Sequence, residues 1–262
     1  MSPDLKLAKI FWFVTAMFAL IASLGGAIFR DIYNGLFPPE FLPGAFPQDV
    51  ITILVSLSLF YLIKTTKQND IKKQIIIVGL LGALFYLYGI FTIERVYNSL
   101  YLIYAAAFSS SFWSIIYSLS GFKSKSFAGL KISKAMIRTS AYSSIFIAII
   151  FTFLWIMALI PLMKSHNRIE FLYSIYILDL CFVMPAFFIT AVMSLRNKPL
   201  GILLAPAIMI VGFFVIFPLG LNEIAKPSFG MQINFGPMIV SFLFAVYMLI
   251  VAVLHLKNLS VE

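Results

Sequence analysis

The chain has 262 residues, of which 62% are apolar and 11% are charged, and its formal net charge is +9. So large an apolar share lies outside the range of soluble globular domains and predicts an all-α, polytopic integral membrane protein. A single cysteine, Cys181, excludes an internal disulfide framework and a thiolate metal site.

Eight apolar runs are each long enough to cross the hydrocarbon core of a bilayer, which takes about 20 helical residues. They cover residues 8–29, 48–64, 74–93, 98–119, 140–163, 170–195, 200–221 and 236–256. The first run ends at Arg30 and Asp31 rather than at a small-residue cleavage site, so we interpret it as a span and not as a signal peptide. Because no linker divides the chain, residues 1–262 are predicted to form a single transmembrane helical domain.

Basic residues concentrate in alternate connections between these runs. If the amino terminus is cytoplasmic, fourteen of the 19 lysine and arginine residues fall on the inner side. The five outer ones are Arg30, Arg95, Lys164, Arg168 and Lys226. This asymmetry predicts that both termini are cytoplasmic, in a protein of the cytoplasmic membrane. It also accounts for the net charge without nucleic acid, so the expected partners are the lipid bilayer, a small-molecule or lipid ligand and other membrane proteins.

The sixth run contains one carboxylate, Asp179, inside the apolar segment YSIYILDLCFVMPAFF. Counted from a span start near Phe171, it lies about 12 Å deep, where a lipid-facing charge would cost about 3 kcal/mol. We therefore expect its side chain to point into the bundle, with Tyr176 as a candidate donor one turn earlier and Pro185 bending the helix. Two interpretations remain open: a hydrogen bond that fixes helix packing, or a site for a ligand, proton or ion.

Another acid, Asp49, closes the outer connection RDIYNGLFPPEFLPGAFPQD. Its four prolines are predicted to exclude a regular helix, so that Pro47 and Asp49 begin the second span. The connection is either an interfacial loop or a lid. Asp49, Thr52 and Ser56 share one helix face and could line a polar track, although serine and threonine in membrane helices often bond to the backbone instead.

The outer turn IERVYNSLY between the third and fourth spans holds Glu94, Arg95 and Asn98. A charge-assisted hydrogen bond is predicted between Arg95 and Glu94 or another carboxylate. Tyr101 follows in an aromatic stripe that suits either a cavity wall or an interfacial belt. Glu223 occupies the turn after the seventh span. The candidate ligand- or proton-binding residues are therefore Asp179, Tyr176, Asp49, Thr52, Glu94, Arg95, Asn98, Tyr101 and Glu223.

Two halves of four spans resemble each other in layout. Each half carries an acid in its second span, Asp49 or Asp179, and a charged outer turn after its third. This pattern indicates a parallel four-plus-four repeat of the kind known in transporters, although the halves of any eight-span chain share the same gross topology. The two acids are nevertheless expected at different depths.

Known catalytic signatures do not occur in the sequence. His166 and His255 fall on opposite sides of the membrane, and no nucleotide loop or serine-hydrolase elbow is present, so neither a metal nor a cofactor is expected and catalytic residues are unknown. The favoured function is the binding or movement of a small solute or lipid through an outward-facing polar cavity, as in a transporter. The alternatives are a membrane-embedded enzyme that uses outer-face carboxylates on a lipid or lipid-linked substrate, and an accessory or scaffold subunit.

Overall fold

Long helices account for most of the computed structural model, which describes residues 5–122, 129–166 and 168–261. The helices are α1 Leu5–Ile28, α2 Leu42–Thr65, α3 Ile71–Ile93, α4 Tyr101–Gly121, α5 Lys134–Ser165, α6 Tyr173–Leu178, α7 Met184–Leu195, α8 Pro199–Ala225 and α9 Phe235–Asn258. A π-helical turn, Asp179–Val183, joins α6 and α7 into one span, so that eight helices in the described residues are long and apolar enough to cross a membrane. The all-α, eight-span prediction is confirmed.

Short elements connect the spans. Two 3₁₀ turns, Arg30–Tyr33 and Lys226–Phe229, lie on one face of the bundle. We call this the outer face, because the distribution of basic residues predicts that it lies away from the cytoplasm. At the opposite, inner face, β1 (Leu130–Lys131) pairs antiparallel with β2 (Ser260–Val261). The predicted inner positions of Lys123 and Lys125 lie outside the described residues.

The orientation of the bundle is tested by labelling single cysteines from either side of the membrane. In a Cys181→Ala background, Gln68→Cys and Ser165→Cys place thiols on exposed connections at opposite faces. We expect a membrane-impermeant maleimide, added outside intact cells, to label Ser165→Cys and to leave Gln68→Cys unmodified until the cells are opened. Labelling of both or of Gln68→Cys alone would contradict the predicted topology.

The second span begins earlier than the sequence predicted. Helix α2 starts at Leu42, and Pro43 lies in its first turn, where the missing N–H is not needed. Pro47 lies within the helix, where it removes only the bond to a carbonyl of that first turn. The prediction that prolines exclude a helix before Asp49 was therefore wrong, and Asp49 lies two turns inside α2 rather than at its start.

Helices α3 and α8 pack against each other at the centre of the bundle. In an 18-residue apolar stretch of each helix, 72% of the residues of α3 and 61% of those of α8 are buried, against 11% for the peripheral α5. Close approach depends on glycine: a Cβ at Gly79 would lie 2.8 Å from the Ile210 side chain, and one at Gly82 would lie 2.5 Å from Val211. This fits the role of small residues at membrane helix interfaces.

The packing of one half recurs in the other. In the first half α1 packs on α2 and α4, and α3 packs on α4; in the second half α5 packs on α7 and α9, and α8 packs on α9. Across the centre, α2 contacts α8 as α6 contacts α3. A parallel four-plus-four repeat would produce this arrangement, with α3 and α8 meeting at its axis.

Candidate functional site

Asp179 opens the π-helical turn in the sixth span. The backbone N–H of Met184 donates to the carbonyl of Asp179, five residues earlier, which is the bond that defines a π turn. Pro185 follows and cannot donate to the carbonyl of Cys181, so the helix accommodates an extra residue at this point. Such π turns are found frequently at functional sites. The sequence predicted a bend at Pro185, and the structure has a π-helical turn just before this proline.

The Asp179 side chain points into the bundle, as predicted, and is 2% exposed. The indole Nε1 of Trp155, in α5, donates to Asp179 Oδ2 at 2.6 Å. Asp179 Oδ1 is buried and has no hydrogen-bond partner among the described residues. The Tyr86 hydroxyl of α3 is the other polar group beside this carboxylate. By hydrogen-bond geometry Oδ1 has no partner within the described chain, so it remains available to a donor from outside the chain even though the Tyr86 hydroxyl lies close to the carboxylate.

Tyr176 does not have the role that the sequence predicted for it. Its ring packs edge-on against Trp155, with the ring centroids 5.4 Å apart, and within the described part of the chain it gives no hydrogen bond to Asp179. The sixth span also starts at Tyr173, two residues later than assumed. Asp179 is therefore about 9 Å below the outer end of its helix, in the outer third of the bundle rather than at its middle.

A cavity of about 90 Å³ adjoins the Asp179 carboxylate. Its walls come from both halves: α2 and α3 contribute Gln48, Tyr86, Leu87 and Ile90, and the other lining residues, Trp155 among them, belong to the second half. Among the described residues that line it, Asp179 carries the only formal charge, since no lysine or arginine is present. The cavity is thus lined by one carboxylate with an unpaired oxygen and by side chains that are mostly apolar or aromatic.

A second cleft, which shares Val183 with the first cavity, lies between α3, α4, α7 and α8. It has a volume of about 240 Å³, and its lining is apolar except for Thr190. No charged residue of the described chain lines it, so it offers no group that would orient a polar solute.

Asp49 anchors the outer connection to the bundle. The Tyr33 hydroxyl donates to Asp49 Oδ2 at 2.9 Å, and both residues are 2% exposed. Burial, and the nearby Asp49 carboxylate, raise the pKa of Tyr33, so this hydroxyl keeps its proton and remains a donor. Phe37 of the same connection packs against Phe91 and Phe171. Of the two interpretations of this segment, the structure fits the loop that lies on the protein.

The acids Asp49 and Asp179 lie on different sides of α3. Tyr86 adjoins Asp179, whereas Tyr88 adjoins Asp49. Side chains two residues apart on a helix point in nearly opposite directions and differ by only about 3 Å along its axis. The two carboxylates are therefore at similar depth, contrary to expectation, because α2 begins earlier than predicted.

The polar track on α2 is buried but is not a chain of linked groups. Asp49, Thr52 and Ser56 are all buried, as their shared face predicted. Thr52 donates to the carbonyl of Gln48, one turn earlier in its own helix, at 2.8 Å. Ser56 Oγ has no partner among the described residues. Thr52 thus bonds to the backbone of its own helix, which was one of the two predicted alternatives.

Glu94 and Arg95 bind different partners at the outer rim. The backbone N–H of Ser174 donates to Glu94 Oε1 at 2.9 Å, which ties the start of α6 to the end of α3. Arg95 Nε donates to the Tyr173 hydroxyl at 2.8 Å, and that hydroxyl donates to the carbonyl of Ile93 at 2.7 Å. Within the described residues Arg95 forms no ion pair, so the predicted carboxylate partner was wrong. The hydroxyl replaces it because Glu94 points to the backbone of α6.

Burial raises the pKa of Glu94 above its ordinary value, although the Ser174 hydrogen bonds and Arg95 act in the opposite direction. The folded protein thus holds this proton more tightly than the unfolded chain does. The stability that Glu94 contributes is full below the unfolded pKa and declines as the pH rises toward the folded pKa. We expect Glu94→Gln to flatten the fall of the thermal midpoint with rising pH, as measured in detergent from about pH 4 upward. The exposed Glu40→Gln is the control, and an unchanged slope in Glu94→Gln would contradict this account.

The remaining candidates form hydrogen bonds within the chain. Asn98 accepts from the backbone N–H of Leu100 and donates to the Tyr104 hydroxyl, which ties the turn to α4. Tyr101 is half-buried and donates to the carbonyl of Thr92 at 3.2 Å. For Glu223, both oxygens are satisfied: Lys226 Nζ lies 2.6 Å from Oε1, and the backbone N–H of Asn234 lies 2.9 Å from Oε2. These groups secure the outer turns.

Sequence reasoning missed Trp155 and Tyr86, which belong to the Asp179 site. A tryptophan within an apolar span carries an N–H that must find an acceptor, and this was the available signal. At the inner end, His255 was also missed as a buried polar group, and its Nδ1 lies 2.7 Å from the Ser140 hydroxyl. In the described residues, no group of three or more histidine, cysteine, aspartate or glutamate side chains could hold a metal ion.

Comparisons with known proteins add no relative: the chain matches no protein-family profile, no curated protein and no solved structure.

Proposed function

We propose that this membrane protein binds a small solute in the cavity beside Asp179 and moves it along the interface between the two halves of the bundle. The observation that supports the proposal most strongly is the Asp179 Oδ1 atom, which is buried at a cavity and has no donor among the described residues. An unsatisfied buried acceptor costs about 1–3 kcal/mol, and a charged one costs more. A bound solute with a donor group would remove that cost.

The other buried acids show what a purely structural carboxylate looks like here. Glu223 has a donor at each oxygen, and Asp49 accepts from the buried Tyr33 hydroxyl. Glu94 also has one unpaired oxygen, but it lies at the outer rim beside Arg95, which is exposed. Among the acids that the structure describes, only Asp179 combines burial with an unpaired oxygen at a cavity between the halves.

Movement of the solute is supported by where the cavity lies. Its walls come from both halves, at the interface where transporters built from repeats place their substrate sites. The π turn begins at Asp179, and Pro218, inside α8, also lines the cavity, so a π turn and a helix-interior proline both border the site. A volume near 90 Å³ is far below the roughly 300–1,000 Å³ of pockets that hold drug-sized ligands, which favours a small solute over a lipid.

The enzyme alternative has weaker support. A pair of carboxylates acting on one bond must face the same substrate. Here α3 separates Asp49 from Asp179, as the positions of Tyr88 and Tyr86 indicate. We therefore keep the lipid-directed enzyme and the scaffold subunit as outcomes of the test.

Filling the cavity tests the proposal. Ile216 lines the cavity and is buried, whereas Ile224 lies on the same helix and is 52% exposed. In a thermal-shift screen of small cations, anions and neutral solutes, a ligand should raise the midpoint of the wild type and of Ile224→Phe but not of Ile216→Phe. At a hundredfold excess over the dissociation constant the stabilisation is about 2.7 kcal/mol. If no solute stabilises the wild type, or if Ile216→Phe responds equally, the proposal fails.

A further inference from the structure

We infer that the solute is a small organic monocation, a short-chain alkylammonium ion; this inference rests on the proposed function. The cavity has one formal charge, the Asp179 carboxylate, and its described lining contains no lysine or arginine to neutralise it. An anion would add a second negative charge to a poorly solvated site. A cation with an N–H group supplies both the missing donor and the compensating charge.

The aromatic wall favours a cation for a second reason. Trp155, Tyr86, Phe151 and Phe187 all line the cavity. The face of an aromatic ring attracts an organic cation, and the attraction grows when the cation is desolvated. Trp155 donates its N–H to Asp179 Oδ2, which holds its ring beside the unpaired oxygen Oδ1. One cation can therefore contact both the ring and Oδ1.

Size sets the limit on the alkyl part. A cavity volume of about 90 Å³ is far below the roughly 300–1,000 Å³ of pockets that hold drug-sized ligands, so the ligand is small. Apolar side chains, among them Ile175 and Val183, form most of the rest of the wall and suit one or two methylene groups rather than a second polar end. Ethylammonium meets these conditions.

Tryptophan emission provides a direct test, because Trp155 touches the carboxylate. Trp113→Phe removes an indole that is 56% exposed, while Trp12 stays bonded to Ser118 in another part of the bundle. Ethylammonium, ethanol and formate each have three non-hydrogen atoms and differ in charge. We expect ethylammonium to shift the emission saturably, with a dissociation constant on the order of 1 mM for so small a ligand, and ethanol and formate to give no saturable shift.

Variants separate the possible outcomes. The ethylammonium shift should persist in Asp49→Asn and disappear in Asp179→Asn. If Asp179→Asn does not fold, Ile216→Phe replaces it, because it fills the cavity and retains the carboxylate. Saturable binding of ethanol or formate in place of ethylammonium would overturn the ligand class and leave the proposed function standing. If none of the three ligands binds and the thermal-shift screen finds none, both are overturned.

Discussion

Asp179→Asn is expected to weaken the binding of a small organic cation by roughly 100-fold, because losing one partner of a buried charge pair costs about 2–5 kcal/mol. Asparagine retains the shape of the side chain and can still accept from the Trp155 indole, which lies 2.6 Å from Oδ2 in the wild type. It also removes a charge that has an unpaired oxygen when no solute is bound. We therefore expect the thermal midpoint to be unchanged or higher. Ligand titration and thermal unfolding of the same preparation measure both quantities.

Asp49→Asn is the matched control for this experiment. Asp49 is as buried as Asp179, yet it faces Tyr33 on the other side of α3 and does not line the cavity. The control should retain the affinity of the wild type. Equal losses in the two variants would indicate a general effect on the bundle, and full binding by Asp179→Asn would remove Asp179 from the site.

Gly26→Ala is expected to destabilise the protein, although alanine in a helix interior normally stabilises by about 1 kcal/mol relative to glycine. A Cβ at Gly26 would collide with both the Tyr33 hydroxyl and the Asp49 carboxylate, which are bonded to each other. Overpacking of this kind typically costs about 1–3 kcal/mol, and loss of the buried hydrogen bond adds to it. The thermal midpoint should therefore fall by several degrees.

Gly236 provides the comparison for that substitution. A Cβ there would lie 3.6 Å from the Asn234 side chain, an ordinary contact, within helix α9. Gly236→Ala should leave the midpoint unchanged or raise it. Equal midpoints for the two alanine variants would show that the packing of Tyr33 and Asp49 against Gly26 does not constrain the fold.

The length of the apolar runs was enough to predict the eight spans, because a bilayer requires long apolar helices and the described residues contain eight of them. The inward orientation of Asp179 was predictable for a related reason, since a carboxylate facing lipid is costly. Its partner was not predictable. Trp155 is 24 positions away on another span, and the rotation of two spans about their axes cannot be read from one sequence.

The start of α2 was mispredicted because the prolines of the outer connection before Pro47 were taken to exclude a helix there. Pro43 falls in the first turn, where no donor is lost, and the helix then continues through Pro47. The error moved Asp49 toward the surface and separated it in depth from Asp179. For Arg95, a charge was expected to need an opposite charge, but at the exposed rim the Tyr173 hydroxyl suffices.

Solid-state NMR distance measurement tests the central claim most directly. The protein would carry ¹³C at its aspartate carboxyl groups and be saturated with ¹⁵N-ethylammonium in lipid. The account predicts strong ¹³C–¹⁵N dipolar dephasing of one aspartate signal, with the ammonium nitrogen about 2.8 Å from Asp179 Oδ1, and loss of that effect in Asp179→Asn. Absence of dephasing at saturating ligand, or the same dephasing in Asp179→Asn, would contradict it.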